Sequence, residues 1–118
     1  MEKIETLKKN YEFKNVIKKG KYFVKSQIIV YIKKNNSNKN LIGIAISGKI
    51  GNAVKRNFLK RKIRESYRGL QHNLITGNDI VFLWNKKTLP ENADFGKINK
   101  EMKEIFKEAK IIKEDSES

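Results

Sequence analysis

Two short runs of apolar side chains constrain the fold of this chain more than any other feature. Residues 28–32 and 80–84 are each five residues long and rich in β-branched and aromatic side chains. Such runs are typical of strands covered on both faces, and in the first run Ile28, Val30 and Ile32 share one face. A membrane-spanning helix needs ~20 apolar residues. The sequence therefore predicts a sheet packed against other elements, with no membrane-spanning segment.

Helical and strand patterns alternate around these runs. The first predicted helix spans 11–19, with Asn10 as its cap and a left-handed Gly20 at its end, and strands within 21–33 and 41–47 form a hairpin. Asn52 is predicted to cap a helix that runs to about Leu70, a strand spans 79–84, and Asp94 is predicted to cap a final helix whose apolar spacing continues to Ile112. The order α-β-β(-β)-α-β-α predicts an α/β (α+β) two-layer sandwich. The length fits a single domain, 1–118, with a frayed tail at about 114–118.

The chain is strongly basic. It has 27 Lys and Arg against 13 Asp and Glu, a net charge of +14. This charge gives a small protein a positive field over much of its surface, so we expect a polyanion and not a membrane as its partner. The absence of cysteine excludes disulfides and cysteine-based metal sites. Because the first ten residues carry no apolar signal segment, we expect a cytoplasmic protein.

The cations are most concentrated in the predicted helix after Asn52. Seven of them lie between positions 55 and 68, where only Glu65 opposes them. At 3.6 residues per turn one face is a cationic stripe, formed by Arg56, Lys60, Arg64 and Arg68 with Asn57 and Arg61 beside them. A different face is apolar, formed by Val54, Leu59, Ile63, Tyr67 and Leu70. The helix is thus predicted to present its cations on a support anchored to the sheet.

This stripe has two interpretations. A run of charge is often only a solvated helix face. Such a face normally mixes signs, however, because like charges one turn apart repel by about 0.2–0.5 kcal/mol per pair. Since this helix keeps its repulsion, we predict that an anion relieves it. Arg offers a planar fork for phosphate or a base edge and Lys a point charge, so the stripe predicts contact with a nucleic acid.

The sequence offers poor material for catalysis by the protein itself. His72 is the only histidine, and it follows the basic helix as a surface residue. The carboxylates from Glu2 to Asp94, and those after Glu101, are dispersed singly, without the paired arrangement of a two-metal site. We therefore expect no catalytic residue, no metal site and no cofactor bound by the protein.

The basic helix and the residues before it also resemble a known family. The run KIGNAVKRNFLKRKIRESYR, 49–68, is similar to the signature of the protein subunit of bacterial ribonuclease P. The matching residues are Lys49, Gly51, Asn52, Ala53, Val54, Arg56, Asn57, Lys60, Arg61, Arg64 and Glu65. The segment LKKNYEFKNVIKKG, 7–20, is similar to the family's opening helix, and the later elements follow the family's order. The resemblance covers nearly the whole chain.

The resemblance implies both a function and a topology. It implies a noncatalytic subunit of an RNA-based endoribonuclease, which binds the catalytic RNA and the 5′ leader of precursor tRNA and assists endonucleolytic removal of the leader. Phosphodiester hydrolysis would belong to the RNA, which positions Mg²⁺, and one protein per catalytic RNA is expected. The resemblance further implies a left-handed crossover around the basic helix, although about 98% of such crossovers are right-handed.

The stripe and the resemblance together assign two RNA surfaces. Contacts of the basic helix are expected at Lys49, Asn52, Lys55, Arg56, Asn57, Lys60, Arg61, Arg64 and Arg68. The resemblance places the leader in a cleft between the first helix and the sheet, lined by Phe13, Ile17 and Tyr31, with Lys60 and Arg64 at its edge.

The residues alone leave several of these assignments open. The spacing of Phe13 and Ile17 is that of ordinary core residues. Tyr31 is out of phase with the apolar row of its strand, and it either covers the sheet edge or stacks on an unpaired base. Phe58 stands where the family usually has Arg, and Gly48 stands where it commonly has Lys. Phe58 either packs in the core, which is the favoured interpretation, or stacks on a base.

Two other functions suit a small basic domain. A ribosomal protein or RNA chaperone of similar fold would bind RNA without any effect on a ribozyme. A DNA-binding protein would place the basic helix in the major groove, but no partner helix immediately precedes it, as a helix-turn-helix motif requires. Both remain alternatives to the ribonuclease P interpretation.

Overall fold

A computed structural model describes residues 3–113 as helices packed on a four-stranded sheet. The helices are α1 (Asn10–Lys19), α2 (Ala53–Leu70) and α3 (Phe95–Glu108), and the strands are β1 (Lys21–Val24), β2 (Ile28–Lys34), β3 (Leu41–Ala45) and β4 (Asn78–Trp84). Short 3-10 turns lie at Gln71–Asn73 and Pro90–Asn92. The predicted α+β order is confirmed, with three strands before α2. The predicted frayed tail, 114–118, lies outside the described residues.

The sheet has the order β1-β2-β4-β3. The antiparallel hairpin is β1–β2, and the predicted hairpin between the second and third strands is wrong because β4 lies between them. β4 has apolar side chains on both faces, and its central position in the sheet allows both faces to be covered by other elements. β3 runs parallel to β4, and α2 makes the connection between them. The handedness of this crossover stays a prediction.

One face of the sheet is covered by α2 and α3, which also pack on each other. The predicted row of Ile28, Val30 and Ile32 is confirmed, because all three side chains are buried on this face. The helix side of this core includes Leu59, Ile63, Tyr67, Ile98, Met102, Ile105 and Phe106. Burial raises the pKa of Tyr67 to about 12. This apolar packing fixes α2 along the sheet with its other sides facing solvent.

The opposite face of the sheet is only partly covered. α1 packs against β2 and β4, where Val16 and Val81 are buried together with Leu7. Phe13 and Tyr31 pack on this smaller cluster and are half-buried. β1 extends the same face beyond α1, because Tyr22 pairs with Tyr31 across the strands and remains 64% exposed. An open surface therefore lies beside α1.

Two of the three predicted N-terminal helix caps are confirmed. Asn52 accepts a hydrogen bond from the Lys55 backbone N–H at 3.0 Å, and Asp94 accepts one from Lys97 at the same distance. The predicted cap at Asn10 is wrong, since the helix begins at that residue and its amide side chain is not the acceptor. Instead, Glu12 accepts hydrogen bonds from the backbone N–H groups of Lys9 and Lys8, both at 2.9 Å, and these lower its pKa.

The ends of α1 and α3 also differ from the prediction. Gly20 is not left-handed, because its φ is −81°. α3 ends at Glu108 and not at Ile112, since Lys110 has a φ of 60° and turns the chain. Ile112 then pairs with Leu74 in an isolated bridge. The helical spacing that continues to Ile112 therefore reflects packing of Ala109, Ile111 and Ile112 against the same core.

Gly20 is required for close approach of two backbone segments. A Cβ atom there would lie 2.6 Å from the Val16 carbonyl oxygen and 2.9 Å from that of Ile32. We expect Gly20→Ala to lower the free energy of unfolding by about 1–3 kcal/mol, because backbone atoms must shift to admit the methyl group. Urea unfolding measures this change.

Gly69 in α2 supplies a matched control. A Cβ atom there meets nothing within 4 Å. Gly69→Ala is therefore expected to leave stability unchanged or to raise it by up to about 1 kcal/mol, because Ala favours the helix. Equal unfolding midpoints for the two variants would contradict the close-approach argument.

Candidate nucleic-acid interface

The outer surface of α2 is a groove lined by polar and cationic side chains. The groove has a volume of about 500 Å³, and its lining residues are Val54, Asn57, Lys60, Arg61 and Arg64. The apolar anchors Leu59, Ile63 and Tyr67 are buried on the sheet side of the helix. The prediction that Val54 anchors the helix to the sheet is wrong, because Val54 is 76% exposed and borders the Pro90–Asn92 turn. The first turn of α2 is thus solvent-facing on more sides than helical spacing predicts.

Four predicted cations of α2 have no ion-pair partner among residues 3–113. They are Lys60, Arg61, Arg64 and Arg68. Parallel, unneutralised cations on one helix raise the local positive potential, and a rigid helix holds them at fixed spacing. This surface, which we call the α2 cationic face, suits a ligand with repeated negative charges.

Two other predicted cations are held by the protein. The Lys55 ammonium lies 3.3 Å from the Glu91 carboxylate. The pKa of Glu91 is lowered, first by its own backbone N–H and then by Lys55. Arg56 is half-buried and donates to the Gly51 carbonyl at 2.7 Å. Arg56 therefore fastens the loop before α2 as well as adding charge near it.

The remaining residues predicted for this surface lie at or near the start of α2. Lys49 is exposed in the turn before the helix. Asn52 is exposed but uses its side-chain oxygen as the helix cap. Asn57 is exposed on the groove. The structure thus places all nine predicted residues on or beside one helix, and their RNA contacts stay a prediction.

The predicted cleft residues are brought together only in part. Phe13 and Tyr31 pack on the same small cluster, and the Phe13 ring lies over Gly43, where a Cβ atom would be 2.3 Å from it. Ile17 is 37% exposed and is not a core residue, contrary to the interpretation from its spacing. It leaves an apolar side chain in solvent on α1.

Lys60 and Arg64 are not on the helix that borders this cleft. They project from α2, which packs on the opposite face of the sheet from α1. Their predicted position at the edge of the cleft stays untested by these contacts. The structure supports them as members of the α2 cationic face.

Tyr22 is a candidate residue that the sequence reasoning missed. Its ring stacks on Tyr31 with centroids 5.7 Å apart and an angle of 29° between the planes. The signal is the short connection at residues 25–27, which sets Tyr22 opposite Tyr31 in the hairpin. Two stacked rings on an open sheet face form a platform suited to unpaired bases.

A buried carboxylate holds this hairpin in place. Glu101 of α3 is buried and accepts hydrogen bonds from the backbone N–H groups of Gln27 at 2.9 Å and Ile28 at 3.3 Å. It also accepts one from the Ser26 hydroxyl. The sequence reasoning missed this role. Its signal is the position of Glu101 within the apolar face of α3, next to Met102. The carboxylate thereby positions the Tyr22–Tyr31 pair through the turn.

A second basic surface lies where the end of α1, strands β1 and β2, and the segment after α3 meet. A groove of about 430 Å³ there is lined by apolar residues and by five lysines, Lys19, Lys21, Lys33, Lys34 and Lys110. Glu108 also lines it, but its carboxylate is bound by Lys25 at 2.7 Å, and this contact raises the pKa of Lys25. Positive charge is therefore not confined to α2.

Other chemistry is poorly supplied in the described part of the chain. No group of three or more His, Cys, Asp or Glu there is arranged to hold a metal ion. His72 is exposed in the 3-10 turn after α2. None of the described helices has the length and apolar character needed to cross a membrane. What stands out is cationic surface and exposed aromatic rings.

Comparison with known proteins shows the same architecture and sequence pattern. A family model described as Ribonuclease P matches residues 1–110. The ribonuclease P protein component of Natranaerobius thermophilus is 32% identical over 115 residues, covering 98% of each chain. The Staphylococcus aureus RNase P protein superposes with a TM-score of 0.80 at 30% identity, covering 93% of this chain and 99% of that one. The Thermotoga maritima RNase P protein gives 0.79 at 31% identity, with 88% and 96% coverage. This chain therefore belongs to the ribonuclease P protein family.

Proposed function

We propose that this chain binds the catalytic RNA of ribonuclease P and the 5′ leader of precursor tRNA, and that it assists removal of the leader without cleaving RNA itself. Membership of the family makes it a component of an endoribonuclease that works with an RNA. The finer roles are the proposal. The chemistry is assigned to the RNA partner, whose active site uses Mg²⁺.

The observation that carries this proposal is the α2 cationic face. Its four cations form no ion pair within residues 3–113, so they can neutralise phosphates that would otherwise repel each other when the catalytic RNA and its substrate meet. Less Mg²⁺ is then needed for the same screening. The Tyr22–Tyr31 pair supplies a separate surface for unpaired leader nucleotides, on the opposite face of the sheet. In this proposal the α2 cationic face binds phosphates through charge, and the Tyr22–Tyr31 pair binds leader bases by stacking.

The test is cleavage of precursor tRNA by the catalytic RNA alone, the protein alone, and both together, over a series of Mg²⁺ concentrations. We expect no product with the protein alone. With both components, cleavage is expected at Mg²⁺ concentrations at which the RNA alone is inactive, because protein cations replace part of the metal screening.

Two results would overturn the proposal. Metal-dependent cleavage by protein rigorously freed of RNA would make the chain a nuclease in its own right. Equal acceleration of an unrelated self-cleaving RNA would make it a general RNA chaperone. The unrelated RNA therefore serves as the matched control in the same titration.

A further inference from the structure

An apolar hollow opens beside the start of α2. It has a volume of about 460 Å³ and lies between α2 and the Pro90–Asn92 turn. Its apolar lining is Val54, Phe58, Pro90 and Ala93, and its charged lining is Lys55, Arg61 and Glu91. Phe58 is 37% exposed and belongs to neither hydrophobic cluster, so the interpretation of Phe58 as a core residue is wrong. Apolar surface is thus presented to solvent within a cationic region.

The Phe58 ring lies beside positive charge. The Lys62 ammonium is 5.3 Å from its centroid, a cation–π distance. The ring also borders a smaller hollow of about 130 Å³, lined by Arg61, Lys62 and Glu65. One aromatic ring therefore stands between an apolar hollow and a charged one.

The apolar hollow continues into the α2 cationic face. Val54 and Arg61 line both the hollow and the groove that contains Lys60 and Arg64. If the phosphates of an RNA strand lie along the groove, the next nucleotide of that strand reaches the hollow. A ligand that fits the apolar hollow and the neighbouring cations together needs a flat apolar face and a negative charge close to it. An unpaired nucleotide has both, whereas a paired base keeps its faces within the helical stack.

We propose that this hollow is a subsite for one unpaired nucleotide of an RNA partner, with the base on Phe58 and Val54 and the phosphate at Arg61. The proposal rests on the RNA-binding function proposed above and adds a base-binding site to it. The subsite depends on the Phe58 ring, so it is proposed for this chain alone.

The test compares two probes and two matched variants of the full chain. The probes are a short single-stranded oligoadenylate and an abasic oligomer with the same number of phosphates. Phe58→Leu keeps apolar bulk but removes the ring. Phe95→Leu is the control, because Phe95 is 42% exposed and lies 5.9 Å from the same Lys62 ammonium but does not line the hollow.

Phe58→Leu is expected to weaken oligoadenylate binding about 5- to 150-fold, the loss of one base–aromatic stack. Binding of the abasic oligomer should be unchanged, Phe95→Leu should bind both probes like the wild type, and Phe58→Tyr should keep wild-type affinity. Unchanged oligoadenylate binding by Phe58→Leu, or an equal loss with the abasic oligomer, would overturn the subsite.

Failure of the subsite is distinguishable from failure of the proposed function. If the wild type binds oligoadenylate and lowers the Mg²⁺ requirement of the catalytic RNA while Phe58→Leu binds like the wild type, only the subsite is lost. If the wild type binds neither oligomer and does not assist the catalytic RNA, the proposed function fails and the subsite with it.

Discussion

A variant in which four cations of α2 become glutamine is expected to bind the catalytic RNA about 100-fold more weakly or worse. The four residues are Lys60, Arg61, Arg64 and Arg68. Each charge-assisted hydrogen bond to phosphate contributes about 1.5–3 kcal/mol and 1.4 kcal/mol is a tenfold change in affinity, so the loss of two such bonds already weakens binding about 100-fold. The slope of log affinity against log salt should fall by about 3 to 4, because each lost phosphate contact removes about 0.7–0.9. Filter binding over a salt series measures both quantities.

Arg56 is left out of this variant for a structural reason. Arg56 lies on the stripe, but its bond to the Gly51 carbonyl fastens the loop before α2. Its removal would mix a folding defect with a binding defect, so Arg56 is left in place. Glutamine keeps a helix propensity close to those of Lys and Arg, and far-UV circular dichroism should be unchanged.

The matched control removes the same charge from a different helix. Four exposed lysines of α3, Lys97, Lys100, Lys103 and Lys107, are replaced with glutamine. Both variants reduce the net charge from +14 by four, to +10. If the two variants lose equal affinity, only the overall charge matters and α2 is a solvated helix face. A defect confined to the α2 variant supports a local interface.

Local patterns predicted the elements of this fold well. The spacing of Leu59, Ile63 and Tyr67 predicted the buried side of α2, because a helix repeats every 3.6 residues regardless of what it packs against. The alternation of Ile28, Val30 and Ile32 likewise predicted one buried face of β2. The order of elements and the α+β class follow from such patterns.

The pairing of strands that are distant in the sequence could not be predicted from local sequence patterns. A loop between two strands suggests a hairpin, but β4 takes the place beside β2 and leaves β3 to pair in parallel on its other side. That choice is decided by burial of β4 on both faces, a property of the whole sheet. The same limitation applies to the crossover around α2, which no short segment encodes.

Site residues were predictable where they depend on one element and not where two elements meet. The α2 cationic face is a property of one helix, so helical spacing alone predicts which cations share it. Phe58 was interpreted as a core residue because spacing cannot show that the Pro90–Asn92 turn leaves a hollow beside it. Tyr22 was missed because its role depends on the partner strand that carries Tyr31.

Replacing Tyr31 with alanine is expected to weaken binding of precursor tRNA by about 1–3 kcal/mol in the reconstituted enzyme, while binding of mature tRNA stays unchanged. Stacking requires an aromatic face, and mature tRNA has no leader to stack. Tyr31→Phe keeps the ring and should bind almost like the wild type. Equilibrium titrations with both substrates measure the difference.

Tyr22 separates stacking from packing in this prediction. Tyr31 is half-buried and packs on the cluster around Val81, so its removal also costs stability. Tyr22 is mostly exposed, and Tyr22→Ala should leave the melting temperature nearly unchanged. A leader-dependent loss of affinity in Tyr22→Ala would therefore come from stacking. If Tyr31→Ala instead lowers the melting temperature and weakens both substrates equally while Tyr22→Ala weakens neither, the Tyr22–Tyr31 pair is a structural contact and not a leader-binding platform.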